Sequence, residues 1–139
     1  MNYLSGYIEE LTGKGNLTIA RVKVYENLFN AIVIGNREKD ARMQIGQEVE
    51  LLFNESEVAI GKNISGILSI SNSASCKVIS IENGEIFCRL GLGLYRNTIY
   101  TLVETTVCKK MDIQLHDNVE MYLKINEIFL QYPKNENND

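Results

Sequence analysis

Apolar and polar residues alternate with a period of two along several short stretches of the chain. In EVELLF (48–53), Val49, Leu51 and Phe53 share one side and Glu50 lies on the other, and SEVAI (56–60) continues the pattern. This alternation is typical of strands with one buried face. The run LFNAIVI (28–34) predicts a further strand.

The stretch NLTIARVKV (16–24) also predicts a strand, but its apolar residues fall in two phases. Leu17 and Ile19 share one phase, whereas Val22 and Val24 share the other. A bulge or sharp bend midway along this strand would reconcile the two, and small closed barrels use such bends. The charged stretch REKDARMQI (37–45) predicts a short surface helix after the third strand.

The chain matches itself at an offset of 70 residues. NYLSGYIEEL (2–11) aligns with NSASCKVISI (72–81) without a gap, so Asn2 meets Asn72 and Ser5 meets Ser75. IGQEVELLFNESEVAI (45–60) aligns with LHDNVEMYLKINEIFL (115–130), with the apolar positions kept. We therefore predict two copies of one domain, spanning residues 1–64 and 68–131, followed by a frayed tail over 132–139.

The second copy repeats the order of elements. Its predicted segments are CKVISI, EIFCRLGLGL, TIYTLV, a helical turn in TTVCKKMDI (105–113), NVEMYLKI and EIFL. Five short strands with a helical turn before the fourth predict an all-β fold of two tandem OB-like five-stranded Greek-key barrels, each with a short helix. Other all-β topologies are compatible with the same pattern. A domain of about 65 residues is marginally stable alone, so we expect the copies to pack on each other or on other chains.

Composition and charge argue against several classes of function but say little about the fold. The 139 residues carry a net charge of −4, contain no tryptophan and lack basic residues interleaved with aromatic ones, which argues against nucleic acid as a partner. No apolar run reaches the length of a membrane helix and the N-terminus lacks the features of a secretory signal, so we expect a cytoplasmic protein with no membrane partner.

The candidate chemistry of the sequence is sparse. The three cysteines are far apart and form no CxxC pattern, which predicts buried, reduced thiols without a disulfide or metal site. His116 is expected in a solvated turn. No phosphate-binding loop and no nucleophile–base pattern is present, so we expect no enzymatic activity and no organic cofactor.

Two segments resemble the Mop family of small molybdate-binding proteins. SISN followed by SASCKV (69–78) is similar to the segment that opens the family's domain, and KINEI (124–128) is similar to the lysine-bearing strand that closes it. The resemblance extends over both copies, as in the tandem members called molbindins. It implies binding or storage of molybdate or tungstate at sites between domains of a homotrimer, with no metal ligated directly by side chains.

The resemblance also implies which residues would contact the oxyanion. Ser69 would donate its hydroxyl, Lys124 would supply a positive charge, and the amide of Asn72 would hold the strand opening or face the anion. Ser71 stands at the position of the family's arginine and is included in the predicted site. The resulting prediction is an oxyanion site made of Ser69, Ser71, Asn72 and Lys124.

Several positions depart from the family's pattern. Ser71 replaces the family's arginine and Ile125 replaces a residue that is often serine, so the second copy lacks two donors. In the first copy, Asn54 and Glu55 stand where lysine and serine are usual, and Glu55 would repel a dianion if it pointed inward.

Plainer interpretations compete with the oxyanion site. SISNSAS fits a polar linker, and Lys124 fits a solvent-facing strand residue that alternates with Leu123 and Ile125. The alternative function is an oligomeric regulatory or interaction module of the same fold that has lost oxyanion binding.

Overall fold

The computed structural model describes residues 1–35 and 41–133. Within them it contains ten strands, a short α-helix and two 3-10 helices. The strands are β1 (Asn2–Lys14), β2 (Leu17–Val24), β3 (Asn27–Ile34), β4 (Glu48–Phe53), β5 (Ala59–Gly61), β6 (Asn72–Glu82), β7 (Phe87–Leu94), β8 (Asn97–Glu104), β9 (Asn118–Leu123) and β10 (Phe129–Gln131). The helices are α1 (Thr105–Lys110) and the 3-10 helices Glu55–Glu57 and Ile125–Glu127.

The predicted all-β fold is confirmed, and α1 confirms the helical turn of the second copy. The helix predicted over 37–45 falls partly outside the described residues, and its described part forms turns. The predicted frayed tail lies almost wholly outside the described residues, because only its first two positions are described.

The strands form two antiparallel five-stranded sheets. In each sheet, one edge strand comes from the other copy. The first sheet has the order β10-β4-β1-β2-β3 and the second has the order β5-β9-β6-β7-β8. Thus β5 pairs with β9 through Ile60 and Met121, whereas β10 pairs with β4 through Leu130 and Leu51. The exchange places residues from the end of each copy against the body of the other.

Positions that are 70 residues apart also share features of their backbone geometry. β1 has a register shift between Ile8 and Glu10, and β6 has the same shift between Val78 and Ser80. His116 adopts a positive φ of 72° in a turn, at the position where Gly46 has a φ of 92°. These positions keep the same local geometry although their side chains differ.

The bulge expected in the middle of β2 is absent, which corrects the sequence interpretation. β2 alternates strictly, with Thr18, Ala20, Val22 and Val24 buried and the residues between them exposed. The irregularity lies on its partner β1 instead. The phase conflict arose because two apolar residues, Leu17 and Ile19, face outward while the small residues Thr18 and Ala20 face the core.

One hydrophobic core runs through both copies. It includes Leu4, Phe29 and Phe53 from the first copy and Leu92 and Met121 from the second. Among the phenylalanines, Phe53 is fully buried, whereas Phe87 and Phe129 are exposed. The three cysteines are free and buried as predicted, and burial raises the pKa of the Cys76 thiol to about 12.

The two copies also meet at their equivalent hairpin turns. Tyr25 and Tyr95 each adopt a positive φ, of 53° and 56°, between the second and third strands of their copy. Their rings stack with centroids 4.4 Å apart. Stacking of this kind adds to the burial energy that holds the copies together.

Side chains that follow the exchanged strands fasten them to the other copy. After β5, the Lys62 ammonium donates to the carbonyls of Met111 and Asp112 and lies 3.0 Å from the carboxylate of Asp117. At the equivalent position after β10, the Tyr132 hydroxyl lies 3.7 Å from the sulfur of Met43. Both strands are therefore anchored by polar as well as ladder contacts.

Candidate functional site

The predicted site residues lie at one end of the β6–β9 strand pair. In the register of this pair Asn72 is opposite Leu123. Ser71 and Lys124 are the next residues outward on the two strands, so the fold brings together segments that are about fifty residues apart. Ser69 precedes β6 by three residues and is exposed.

Asn72 is fully buried, and both the nitrogen and the oxygen of its side-chain amide are hydrogen-bonded to the backbone of the other copy. Its Nδ2 donates to the Asn30 carbonyl at 2.9 Å, and its Oδ1 accepts from the Asn30 N–H at 2.7 Å. Asn2 makes the same pair of bonds with the backbone of Tyr100, both at 2.9 Å. The two asparagines therefore join each first strand to the third strand of the other copy.

Lys124 begins the 3-10 helix Ile125–Glu127. Its carbonyl accepts the Glu127 N–H at 3.0 Å, which fixes the local backbone. Its side chain is exposed and has no hydrogen-bond or ion-pair partner within residues 1–35 and 41–133. An ammonium group without a protein partner is available to an anion.

A groove with a volume of about 350 Å³ opens beside these residues. We call it the open groove; it is lined by Glu10, Thr12, Ile19, Arg21, Asn30, Ser71 and Ile125. The first five belong to β1, β2 and β3 of the first copy, whereas Ser71 and Ile125 belong to the second. The groove is thus a junction between the copies.

The open groove combines donors with an apolar wall. Arg21 supplies a guanidinium, and Thr12 and Ser71 supply hydroxyls. Arg21 is also paired with Glu10, with Nη1 3.3 Å from Oε2, but both side chains are largely exposed. Ion pairs of this exposure contribute little to stability, so the guanidinium remains free to exchange its partner.

The equivalent positions in the other half of the molecule hold a network of charges. Glu55 and Arg89 correspond to Ile125 and Ile19 of the open groove, and Tyr100, Met1 and Glu82 correspond to its Asn30, Ser71 and Thr12. Arg89 Nε donates to Glu55 Oε1 at 2.7 Å, and Arg89 Nη2 donates to Oε2 at 3.3 Å. We call these five residues the Glu55–Arg89 network.

The Glu55–Arg89 network is held from three sides. The Arg89 guanidinium lies 3.7 Å from the centre of the Tyr100 ring, and its Nη1 is 3.6 Å from Glu82. The amino group of Met1 lies 3.8 Å from Glu55. The hydrogen bond from Arg89, its charge and the Met1 amino group together lower the pKa of Glu55, against the opposing effect of burial. Glu55 is therefore an ionised carboxylate that lies close to two cationic groups, the Arg89 guanidinium and the Met1 amino group.

Reasoning from the sequence missed Arg21, Thr12 and Arg89. Each lies on a strand of one copy and meets a residue of the other copy, a relation that the linear sequence does not reveal. One signal was present in the sequence. At the 70-residue offset, Ile125 and Ile19 align with Glu55 and Arg89, which carry opposite charges. A change of two apolar positions into a matched charge pair indicates spatial contact.

The described part of the chain was also compared with the requirements of a metal site and of a membrane-spanning helix. Residues 1–35 and 41–133 contain no group of three or more His, Cys, Asp or Glu side chains arranged to hold a metal ion. Over the same residues, no helix is both long enough and apolar enough to cross a membrane.

Known proteins resemble this chain in fold rather than in sequence. No protein-family model and no curated protein matches the sequence. A solved structure of the cytoplasmic molybdate-binding protein ModG, with molybdate bound, matches with a TM-score of 0.88 and 18% identity. The match covers 95% of this chain and 96% of that one. The tandem OB-like fold predicted from the sequence is therefore confirmed.

Proposed function

We propose that the protein binds a tetrahedral oxyanion, molybdate or tungstate, in the cytoplasm and serves in its storage without catalysing a reaction. The observation that carries this proposal is the open groove, where the Arg21 guanidinium and the Ser71 hydroxyl line one cavity beside Lys124. The fold likeness to ModG, which binds molybdate, supports the choice of ligand.

The donor set suits a dianion. Removing a doubly charged anion from water is unfavourable unless several hydrogen bonds and one or two positive charges replace its hydration shell. Arg21 provides a cation and Thr12 and Ser71 provide two hydroxyls in the open groove. Lys124, which precedes the groove residue Ile125 in the chain, provides a second cation. Ser69, three residues before β6, provides a further hydroxyl in the proposed site.

Arg21 supplies the guanidinium that the second copy's own opening segment lacks. Ser71 stands at the position of the family's arginine, and in this fold Arg21 lines the same groove from the other copy. The proposed oxyanion site therefore consists of Ser69, Ser71 and Lys124 from the second copy with Thr12 and Arg21 from the first. Asn72 supports it by fastening β6 to β3.

The proposal includes assembly of the chain into a homotrimer. The outward face of β1 exposes Tyr3 and Tyr7, which are 55% and 57% accessible. Exposed aromatic residues grouped on one strand face favour a protein partner. A second chain on this face would further enclose anions bound at the junctions.

Calorimetric titration of the purified protein with sodium molybdate, tungstate and sulfate tests the function. We expect heat with molybdate and tungstate and weaker binding of sulfate. Lys124→Ala should weaken molybdate binding at least about tenfold, because a charge-assisted hydrogen bond contributes about 1.5–3 kcal/mol. Native mass measured in parallel tests the trimer.

The matched control is Lys77→Ala. Lys77 is an exposed lysine on β6 that lies away from the open groove, so its loss changes the net charge equally and should leave the affinity unchanged. An intact trimer with neither heat nor thermal stabilisation from molybdate or tungstate would overturn oxyanion binding. That outcome would favour an interaction module of the same fold.

A further inference from the structure

The two halves of the molecule treat equivalent junctions differently. At one junction, Ile19 and Ile125 form part of the wall of the open groove. At the other, Arg89 and Glu55 occupy the same positions and bind each other in a bidentate pair. The strand exchange makes the two junctions equivalent in backbone, so the difference comes from the side chains.

We propose that the Glu55 carboxylate is a built-in anion that occupies a second oxyanion site, so that an external ligand binds at the open groove. This inference rests on the proposed function, because the open groove sets the expected ligand. Removing the Glu55 charge should expose a second site whose principal cation is Arg89.

The geometry around Arg89 supports a masked anion site. A carboxylate and a tetrahedral oxyanion both present two oxygens that a guanidinium fork can bind together. The Arg89 guanidinium also lies 3.7 Å from the centre of the Tyr100 ring, and this contact would hold it in place after the carboxylate is removed. The Glu55 side chain is 22% accessible and that of Arg89 is 38%, which leaves a route for a ligand from solvent.

The net charge of this junction also rises from balanced to positive without Glu55. With Glu55 ionised, the carboxylates of Glu55 and Glu82 offset the charges of Arg89 and of the Met1 amino group. With a neutral side chain at position 55, Glu82 is the remaining carboxylate of the network against two cationic groups, and it is also the most exposed member at 68%. The junction then carries a net positive charge.

The test is the number of molybdate ions bound per chain, measured by equilibrium dialysis of the full-length protein at fixed ionic strength. Fixed ionic strength matters because exposed charges are screened by salt. We expect E55Q to bind about twice as much molybdate as the wild type, since one further equivalent junction becomes available in each chain. Glu55→Ile, which introduces the residue of the second copy, is the second variant in case E55Q folds poorly.

Two control variants separate this inference from a general effect of charge. E57Q removes the same charge from the same 3-10 helix, but Glu57 is exposed and has no ion pair among the described residues, so the stoichiometry should stay at the wild-type value. The double variant E55Q/R89Q lacks the guanidinium and should also return to the wild-type value.

The outcomes distinguish the two proposals. Wild-type protein that binds molybdate, with folded E55Q and E55I binding no more of it, overturns the built-in anion and leaves the proposed function in place. A gain that persists in E55Q/R89Q also overturns it, because Arg89 is then not the receptor. Wild-type protein that binds none while E55Q binds some overturns the proposed function of the open groove alone. Absence of binding in every form overturns both.

Discussion

Asn72 and Asn30 are joined by two hydrogen bonds, of 2.9 and 2.7 Å, between a side-chain amide and a backbone peptide of the other copy. An amide matches a peptide group as both donor and acceptor, so one buried side chain satisfies two backbone groups of β3. Asn2 repeats the arrangement with Tyr100, which makes the pair of asparagines a symmetric fastening between the copies.

We expect Asn72→Ala to destabilise the fold by about 2–4 kcal/mol, because it leaves the N–H and the carbonyl of half-buried Asn30 without partners. Urea unfolding followed by circular dichroism measures this change. Asn126→Ala, on the exposed side of a 3-10 helix, is the control and should lie within about 0.5 kcal/mol of the wild type. Unchanged stability together with lost molybdate binding would instead place Asn72 among the ligand contacts.

The Arg21–Glu10 pair predicts opposite effects from its two members. Arg21→Gln should weaken molybdate binding about tenfold through loss of a charge-assisted contact, whereas Glu10→Gln should strengthen it by freeing the guanidinium and removing a like charge. Titration calorimetry at low and high salt measures both effects. Lys23→Gln, the next outward residue on β2, is the charge-matched control for Arg21. Equal affinities in Arg21→Gln and Lys23→Gln would remove Arg21 from the site.

Asp117 predicts a pH dependence of stability. The Gln114 N–H and the Lys62 ammonium lower the pKa of its carboxyl below the ordinary value of 3.8. Since the folded state binds this proton less tightly than the unfolded state, the stabilisation is complete above about pH 4 and is lost as the pH falls through the folded-state pKa.

Asp117→Asn should therefore be less stable than the wild type near neutral pH, and the difference should shrink below about pH 4. Thermal unfolding across pH measures it. Glu85→Gln, an exposed carboxyl in the loop between β6 and β7, serves as the comparison and should show a smaller difference at neutral pH. A difference for Asp117→Asn that does not change with pH would exclude the carboxylate as its source.

The exchanged strands predict the behaviour of an isolated copy. A fragment of residues 68–139 lacks β5, so one edge of β9 has no partner, and its β10 has no β4 to pair with. We expect two fragments to exchange β10 and form a homodimer with about twice the fragment mass, because the exchange satisfies both open edges. Light scattering coupled to gel filtration measures the mass, with the full-length chain run alongside. A stable monomer would instead support residues 68–131 as an independently folding domain.

Much of this architecture was accessible from the sequence because it depends on local patterning. Alternation around Val49 and Leu51 identified β4, and the 70-residue offset located its counterpart β9. The phase of β2 was misread because the apolar residues Leu17 and Ile19 lie on its outward face. Polarity along this strand therefore does not separate exposed residues from buried ones. Hydrophobicity predicts which residues face the core only while outward residues are polar.

The candidate site was less accessible. Ser71 and Lys124 were found from short motifs, and the register of β6 and β9 brings them to one end of a strand pair. Their roles as ligand contacts, like that of Ser69, remain predictions. Arg21 could not be assigned to the same groove from the sequence, because that position depends on how β2 of one copy meets the start of the other.

The strand pattern, the repeat and the residue types available for binding an anion can be read along the chain, because each depends on the order of neighbouring residues. Which of these residues meet depends on the tertiary structure. The exchange of β5 and β10 sets Glu55 against Arg89 and leaves the equivalent junction open between Arg21 and Ser71. The interaction between two charged groups depends on the distance between them in space. The alternation of residues along a strand carries no information about which strand of the other copy will lie beside it.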